Sequence, residues 1–191
     1  NAPYYAHDIR WGHKLGSVTL EDALMDEGLQ CPITGMGMGM TAEEIARRTD
    51  ISREQMDRLA LRSHQRALAA IEQGRFDDEI VAVPTGEDEV FDTDEHPRET
   101  SMDALADLRP VFVEDGTVTA GNASGINDAA AALLVASERE SSANGWEPRA
   151  VIRGSAMAGV EPEIMGMGPV AAVRKLCETT GLCLDDFELI E

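Results

Sequence analysis

The chain has 191 residues, 43% of them hydrophobic and 27% charged, enough for one globular domain or parts of two. Thirty-six acidic residues face sixteen basic ones, and a net charge of −20 argues against nucleic-acid binding through a general basic surface. No apolar run reaches the roughly 18–20 residues of a membrane-spanning helix, and no basic-then-apolar secretory leader opens the chain.

The first residue is Asn1, so a processed or partial sequence is expected. Residues 1–40 read as irregular and rich in Gly and Met. Within them "HDIRWGHKLG" gathers Arg10, His13 and Lys14, either a solvated loop or a subunit contact or anion-facing patch. A short helix is expected at about residues 20–26. Thr41-x-x-Glu44 predicts a capping box that opens a helix through Arg48. Ser52-x-x-Gln55 predicts a second, opening a long helix to about Gln73 with Gly74 as its stop. Met56, Leu59, Ala60, Ser63, Ala67 and Ala70 recur at the helical period and define a narrow face of mostly small residues, which lets a neighbour lie close.

"DEIVAVP" and "DEVFDTDE" read as short strands around a Gly-containing turn. Pro97-Arg98 leads into a helix at about residues 101–107. "RPVFVEDGTVTAGN" predicts strand, turn and strand, and "AAAALLVAS" a buried strand. "RAVIRGSAMAG" predicts a further strand, "GPVAAVRKLCETTG" a helix with Pro169 in its first turn, and "FELIE" a last strand. The strand–helix–strand alternation after residue 116 predicts α/β layers. Composition turns from charged to Ala- and Gly-rich near the same point, which marks the main boundary.

Cys31, Cys177 and Cys183 are odd in number and match no zinc spacing, which fits a reduced intracellular setting. None stands in a small-residue turn of the kind that exposes a reactive thiol. His7, His13, His64 and His96 are scattered without metal-ligand spacing.

The run from Ala120 to Gly125 places very little side chain in one stretch. Such a run lets a ligand approach bare backbone amides, with Ser124 adding a hydroxyl. It serves equally as a tight turn packed under a neighbouring helix. It has neither the lysine of a phosphate loop nor the glycine spacing of a dinucleotide turn. "IMGMGPV" and "GMGMGMTAEE" are two further small-residue turns that mix Gly with Met, a side chain able to line an adaptable apolar slot or to fill gaps in a core.

"TVTAGNASGINDAAAALLVASE", "MTAEEIARRTDISREQMDRLALRSHQRALAAIEQGRFDDEIVAV", "PRETSMDALADLRPVF" and "MGMGPVAAVRKLCETTGLCLDDFELIE" resemble the thiolases, in the same order and over essentially the whole chain. The opening Asn1-Ala2-Pro3-Tyr4 is similar to a common wording of that family. The resemblance implies an α/β fold with layers αβαβα, built from two similar halves with a loop domain inserted in the first. Residues 1–119 would form the loop domain that covers coenzyme A, 120–147 the close of the first half, and 148–191 the start of the second.

The implied activity is acyl-CoA:acetyl-CoA C-acetyltransfer through a cysteine acyl-enzyme, making or cleaving acetoacetyl-CoA. Alternatives are a degradative 3-ketoacyl-CoA thiolase and a non-catalytic thiolase-like protein that binds CoA or lipid. The resemblance implies acetyl-CoA and acyl-CoA as partners and no nucleic acid or membrane. It further implies a cytoplasmic homodimer or homotetramer with no cofactor or metal, coenzyme A thioesters being substrates. The nucleophilic cysteine, the histidine and the second cysteine of the family are expected outside this chain, so no catalytic residue is assigned within it. Ser124 stands at the serine that meets the pantetheine arm, Ala120 and Gly121 at backbone positions beside it, and Phe112 at an aromatic packing against it. Arg98 stands at the arginine near the nucleotide end of CoA, and Met38 and Met165 at methionines lining the acyl end. Gly37 stands where relatives often carry His, and Ala104 where they carry a CoA-contacting Ser.

Overall fold

The computed structural model describes residues 2–7, 9–86 and 89–191. Asn1, Asp8, Glu87 and Asp88 lie outside the described residues; they belong to the opening family match, the basic loop, and the turn and second strand of the expected hairpin. The chain forms two compact units, one made of Asn1–Met36 with Asn127–Glu191 and the other of Gly37–Ile126.

In the Gly37–Ile126 unit, helix α1 spans Met38–Thr49. It starts earlier than the expected capping box because the Gly37 carbonyl accepts from the Met40 and Thr41 amides at 2.9 and 3.2 Å. Thr41 therefore lies inside the first turn, buried, with its hydroxyl donating to the Met38 carbonyl at 2.7 Å. Glu44, the other half of that box, instead pairs with Arg47 and Arg48. Those two guanidiniums hold its carboxyl down at about 2. Helix α2 spans Arg53–Glu72 and has the predicted capping box with both hydrogen bonds present, ending before Gly74 at φ +63°. A left-handed residue there closes the last turn at little cost only as glycine.

The buried stripe of α2 differs from the predicted one. Met56, Ala60, Ala67 and Ala70 are on it, but Leu59 and Ser63 face solvent, and Asp57 and His64 occupy its centre. Polar groups hold those places because each has a partner across the unit, described below. Strands β3 (Val83–Pro84) and β4 (Val90–Phe91) form an antiparallel hairpin, Val83 opposite Phe91 and Pro84 opposite Val90, as expected but shorter. Helix α3, Met102–Ala106, is capped by the Ser101 hydroxyl and packs against α2. The expected strand pair at 109–122 is reduced to a bridge between Pro110 and Thr119, with the Val111 amide donating to the Val118 carbonyl at 3.0 Å. Ala46, Leu105 and Val118, the fully buried apolar residues among those described, all belong to this unit.

In the other unit, β1 (Tyr4–Tyr5) pairs antiparallel with β2 (Glu21–Asp22). The expected helix at 20–26 is displaced. Its first residues are taken by β2, and the Asp22 carboxylate accepts from the Leu24 amide at 2.9 Å to start a single π-turn, Leu24–Gly28. Helix α4, Glu138–Asn144, has no counterpart in the periodicity reading. Its signal is a Ser137-x-x-Glu140 cap whose hydroxyl accepts from the Glu140 amide at 3.2 Å. A 3₁₀ turn, Pro162–Met167, runs into helix α5, Gly168–Thr180, with Pro169 in its first turn, as expected, and Gly181 left-handed at its end. Gly154 lies against the side chains of Leu176 and Thr180, and Lys175 Nζ donates to the Met157 carbonyl at 3.0 Å, so residues 154–157 run alongside α5.

Three expected strands do not form ladders among the described residues: 129–137, 149–159 and 187–191. Their apolar side chains are open, Leu133 at 93% and Leu134 at 78% exposure, and Val151, Ile152, Leu189 and Ile190 are exposed as well. An extended apolar run becomes a strand when another run lies beside it to take its amide and carbonyl groups. Among the described residues none does.

Candidate functional site

The small-residue turn of residues 119–123 is built from the inside by polar groups. The Asn122 and Ala123 amides both donate to the Thr119 carbonyl, at 3.3 and 3.1 Å, and the Gly121 amide donates to Thr119 Oγ1 at 3.2 Å. Thr119 is wholly buried. Its own amide donates to Asn122 Oδ1 at 2.8 Å, while Asn122 Nδ2 donates to the Thr117 carbonyl at 3.0 Å and to Asp57 Oδ1 at 2.9 Å. Asp57, 1% exposed, takes Arg53 Nε on its other oxygen at 2.7 Å. The Arg53 guanidinium continues to the Leu105 and Leu108 carbonyls at 2.5 and 3.0 Å, which pins the end of α3. A charged pair at the centre thus fixes α2, α3 and the turn in one network.

A second clamp comes from α1. Both oxygens of Glu43 accept from the Thr117 amide at 2.9 Å, Oε2 also takes the Thr117 hydroxyl at 2.7 Å, and Oε1 takes the Val118 amide at 2.8 Å. Burial pushes the Glu43 carboxyl up, but these hydrogen bonds and the Arg53 charge outweigh it and hold it below the ordinary carboxylate range.

The expected contact residues fall as follows. Ala120 and Ser124 are exposed on the turn, and Gly121 is buried beneath it. Arg98 Nη2 donates to the Ala120 carbonyl at 3.5 Å, so the turn and its cation are brought together. Phe112 packs its ring onto Gly39, one residue along α1 from Met38; a methyl group at Gly39 would overlap the ring. Met165 belongs to the other unit, half-exposed on the Pro162–Met167 turn. Of the two purposes open to glycine in this run, the structure gives Gly121 a packing one. A methyl group there would stand 2.5 Å from Leu105 Cδ2 and from Leu108 Cδ1. Leu105 is itself buried, so Gly121→Ala is expected to cost about 1–3 kcal/mol in urea unfolding; an unchanged midpoint would free Gly121 from that packing role.

Sequence periodicity passes over Arg53, Asp57, Asn122 and Glu43. A usable signal existed for one of them: Asp57 sits between Met56 and Ala60 on the inner stripe, where a carboxylate must be paired. The others owe their roles to contacts 52–75 residues apart in sequence.

The cysteines are dispersed. Cys31 is half-buried, its thiol held below the ordinary range first by the Thr34 hydroxyl and then by the Thr34 and Ile33 backbone. Cys177 lies within α5 and Cys183 is exposed after it. His7, Glu21 and Asp26 bring ligand atoms within 4.8 Å of one another on the surface. Asp26 already takes the Tyr5 hydroxyl, which that bond pushes up to about 12, and faces His7 Nε2 at 3.7 Å, so its carboxylate is already engaged.

Residues 1–139 match the family described as thiolase, N-terminal domain, and residues 146–191 match thiolase, C-terminal domain. The chain belongs to the thiolase family. It is 45% identical to the acetyl-CoA acetyltransferase of Chromobacterium violaceum, over 100% of this chain and 50% of that protein. Among solved structures it is similar to the Bacillus anthracis acetyl-CoA acetyltransferase, at a TM-score of 0.89 and 44% identity over 98% of this chain and 48% of that one. It is similar as well to human mitochondrial 3-ketoacyl-CoA thiolase in complex with CoA, at a TM-score of 0.84 and 40% identity over 98% and 48%. The chain therefore follows the α/β thiolase course and spans about half the length of the curated relatives it matches. In this thiolase, no helix of the described residues is long and apolar enough to cross a membrane.

Proposed function

We propose that this chain is the central part of an acyl-CoA:acetyl-CoA C-acetyltransferase, with the cysteines and histidine of acyl transfer carried elsewhere in the protein. On this reading residues 1–119 form the loop domain over coenzyme A, residues 120–147 close the first half, and residues 148–191 open the second. The protein works as a dimer or tetramer on CoA thioesters. A cysteine thiolate takes an acyl group from one thioester, and a second acetyl-CoA, deprotonated at its methyl, attacks it, or the reverse in thiolysis.

One observation supports the binding half above others: the guanidinium of Arg98 reaches the carbonyl of Ala120 at the small-residue turn. A cation beside that turn, in a chain of net charge −20, is a local attractor for an anionic ligand that the surrounding field repels. Within the Gly37–Ile126 unit, Arg98 would face the nucleotide end of CoA, Ser124 and the backbone of Ala120 and Gly121 the pantetheine arm with Phe112 against it, and Met38 the acyl end.

The test uses the full-length enzyme. Arg98→Ala is expected to weaken CoA binding roughly tenfold at low ionic strength, the scale of one charge-assisted hydrogen bond, and the gap from wild type is expected to narrow as salt rises. Equal dissociation constants at low salt would remove Arg98 from the site. Turnover of acetoacetyl-CoA against longer 3-ketoacyl-CoA then separates the acetyl-transfer reading from a degradative one.

A further inference from the structure

Two histidines far apart in sequence meet in the Gly37–Ile126 unit. His64 is buried on the inner stripe of α2, and its ring stacks on His96 with centroids 5.8 Å apart and planes 30° apart. The backbone N–H of Arg98 donates to His64 Nδ1 at 3.4 Å. A backbone N–H cannot accept, so Nδ1 carries the lone pair and the ring proton sits on Nε2. Pro97 has no N–H, which makes the Arg98 amide the first donor after His96 able to tie this segment to α2. The same residue sends its guanidinium to the Ala120 carbonyl.

We propose that His64 is a positioning residue for the substrate, its neutral imidazole anchoring the backbone of Arg98 so that the guanidinium is held at the Ala120 turn, and that protonation of His64 releases the anchor. This rests on the reading of Arg98 as the contact for the anionic end of the thioester. A proton on Nδ1 sets donor against donor at the anchor. It also places a second cation between His96 and Arg98, the charged or titratable groups that face the ring. Burial first, then Arg98 and His96, hold His64 below the ordinary histidine range, so the anchor is intact near neutral pH.

The experiment measures KM for acetoacetyl-CoA from pH 5 to 8 in the full-length enzyme and in its His64→Leu, His64→Gln and Arg98→Ala variants. His64→Leu is expected to raise KM roughly three- to tenfold at pH 7.5, the worth of one hydrogen bond, with a smaller change in kcat. His64→Gln, whose amide oxygen can accept the same N–H, is expected to restore the wild-type KM and to lose the rise that wild type shows at pH below the ordinary histidine range of about 6.5. A His64→Leu enzyme with wild-type KM, beside an Arg98→Ala enzyme with raised KM, overturns the role of His64 alone. An Arg98→Ala enzyme with wild-type KM overturns the reading of Arg98 and this proposal with it. A Gln variant that keeps the acid-side rise assigns the rise to another group and overturns the anchor. Should the Leu variant not fold, hydrogen exchange at the Arg98 amide of wild type decides. Protection lost on acidification, beyond the intrinsic rate change, supports the anchor, and protection kept at every acid pH at which the enzyme stays folded overturns it.

Discussion

Asp57→Ala is expected to destabilise the Gly37–Ile126 unit by about 3 kcal/mol, the lower part of the range for breaking a buried ion pair. The lower part applies because the Arg53 side chain keeps 23% of its exposure while that of Asp57 keeps 2%. Removing the carboxylate leaves the guanidinium with its two carbonyl partners and only the Glu43 charge nearby. It also deprives Asn122 of the acceptor that ties the turn to α2. The measurement is urea unfolding, with an unchanged slope showing that the same unit is being followed. The double variant Asp57→Ala with Arg53→Met is expected to recover part of the loss, since no orphaned charge remains. A loss under about 1 kcal/mol would mean that the pair behaves as a surface salt bridge.

Glu43→Gln carries the second large effect, about 2 kcal/mol at pH 7, and a signature in pH. The glutamine has one acceptor oxygen in place of two and no charge, so of the three donors at Glu43 at least one is left poorly matched in a half-buried place. Because the wild-type carboxyl is held below the ordinary range in the folded chain, the folded form binds fewer protons than the unfolded one. Its contribution is complete above the unfolded carboxylate value of about 4.3 and is lost as pH falls through the folded value. Glu44 titrates low for a different reason, its two arginines, and shapes the same acid limb. The quantity to read is therefore the difference between wild type and Glu43→Gln across pH 2–7, not either curve alone. A difference that stays constant across that window would show that the Glu43 charge contributes nothing.

Much of the helical architecture was legible because its signals are local. Ser52 with Gln55, Gly74 and Pro169 each act within one turn of the chain and mark ends where the structure has them. Thr41 with Glu44 has the same local form and failed, since Gly37 opened the helix one turn sooner and left Thr41 inside it. The apolar runs at 129–137 and 149–159 were read as strands and form no ladder among the described residues, because a ladder is a property of two runs and one run cannot show its partner. In the site, the small residues of the turn, Arg98 and Phe112 could be singled out, by composition or by resemblance. What holds them could not: Glu43 reaches Thr117 across 74 residues and Asp57 reaches Asn122 across 65. Such long-range satisfaction of polar groups leaves no periodic trace.

One unit is continuous in the chain, Gly37–Ile126, and the other is assembled from two separated stretches. On a ribosome the difference becomes one of timing. The polar stitching of the continuous unit joins α1 and α2 to residues 117–122, so all its members are available once that stretch has emerged. The divided unit must wait for the return of its later stretch. A nascent chain halted soon after Ile126 should therefore already resist protease across residues 37–126, while residues 1–36 are still cut.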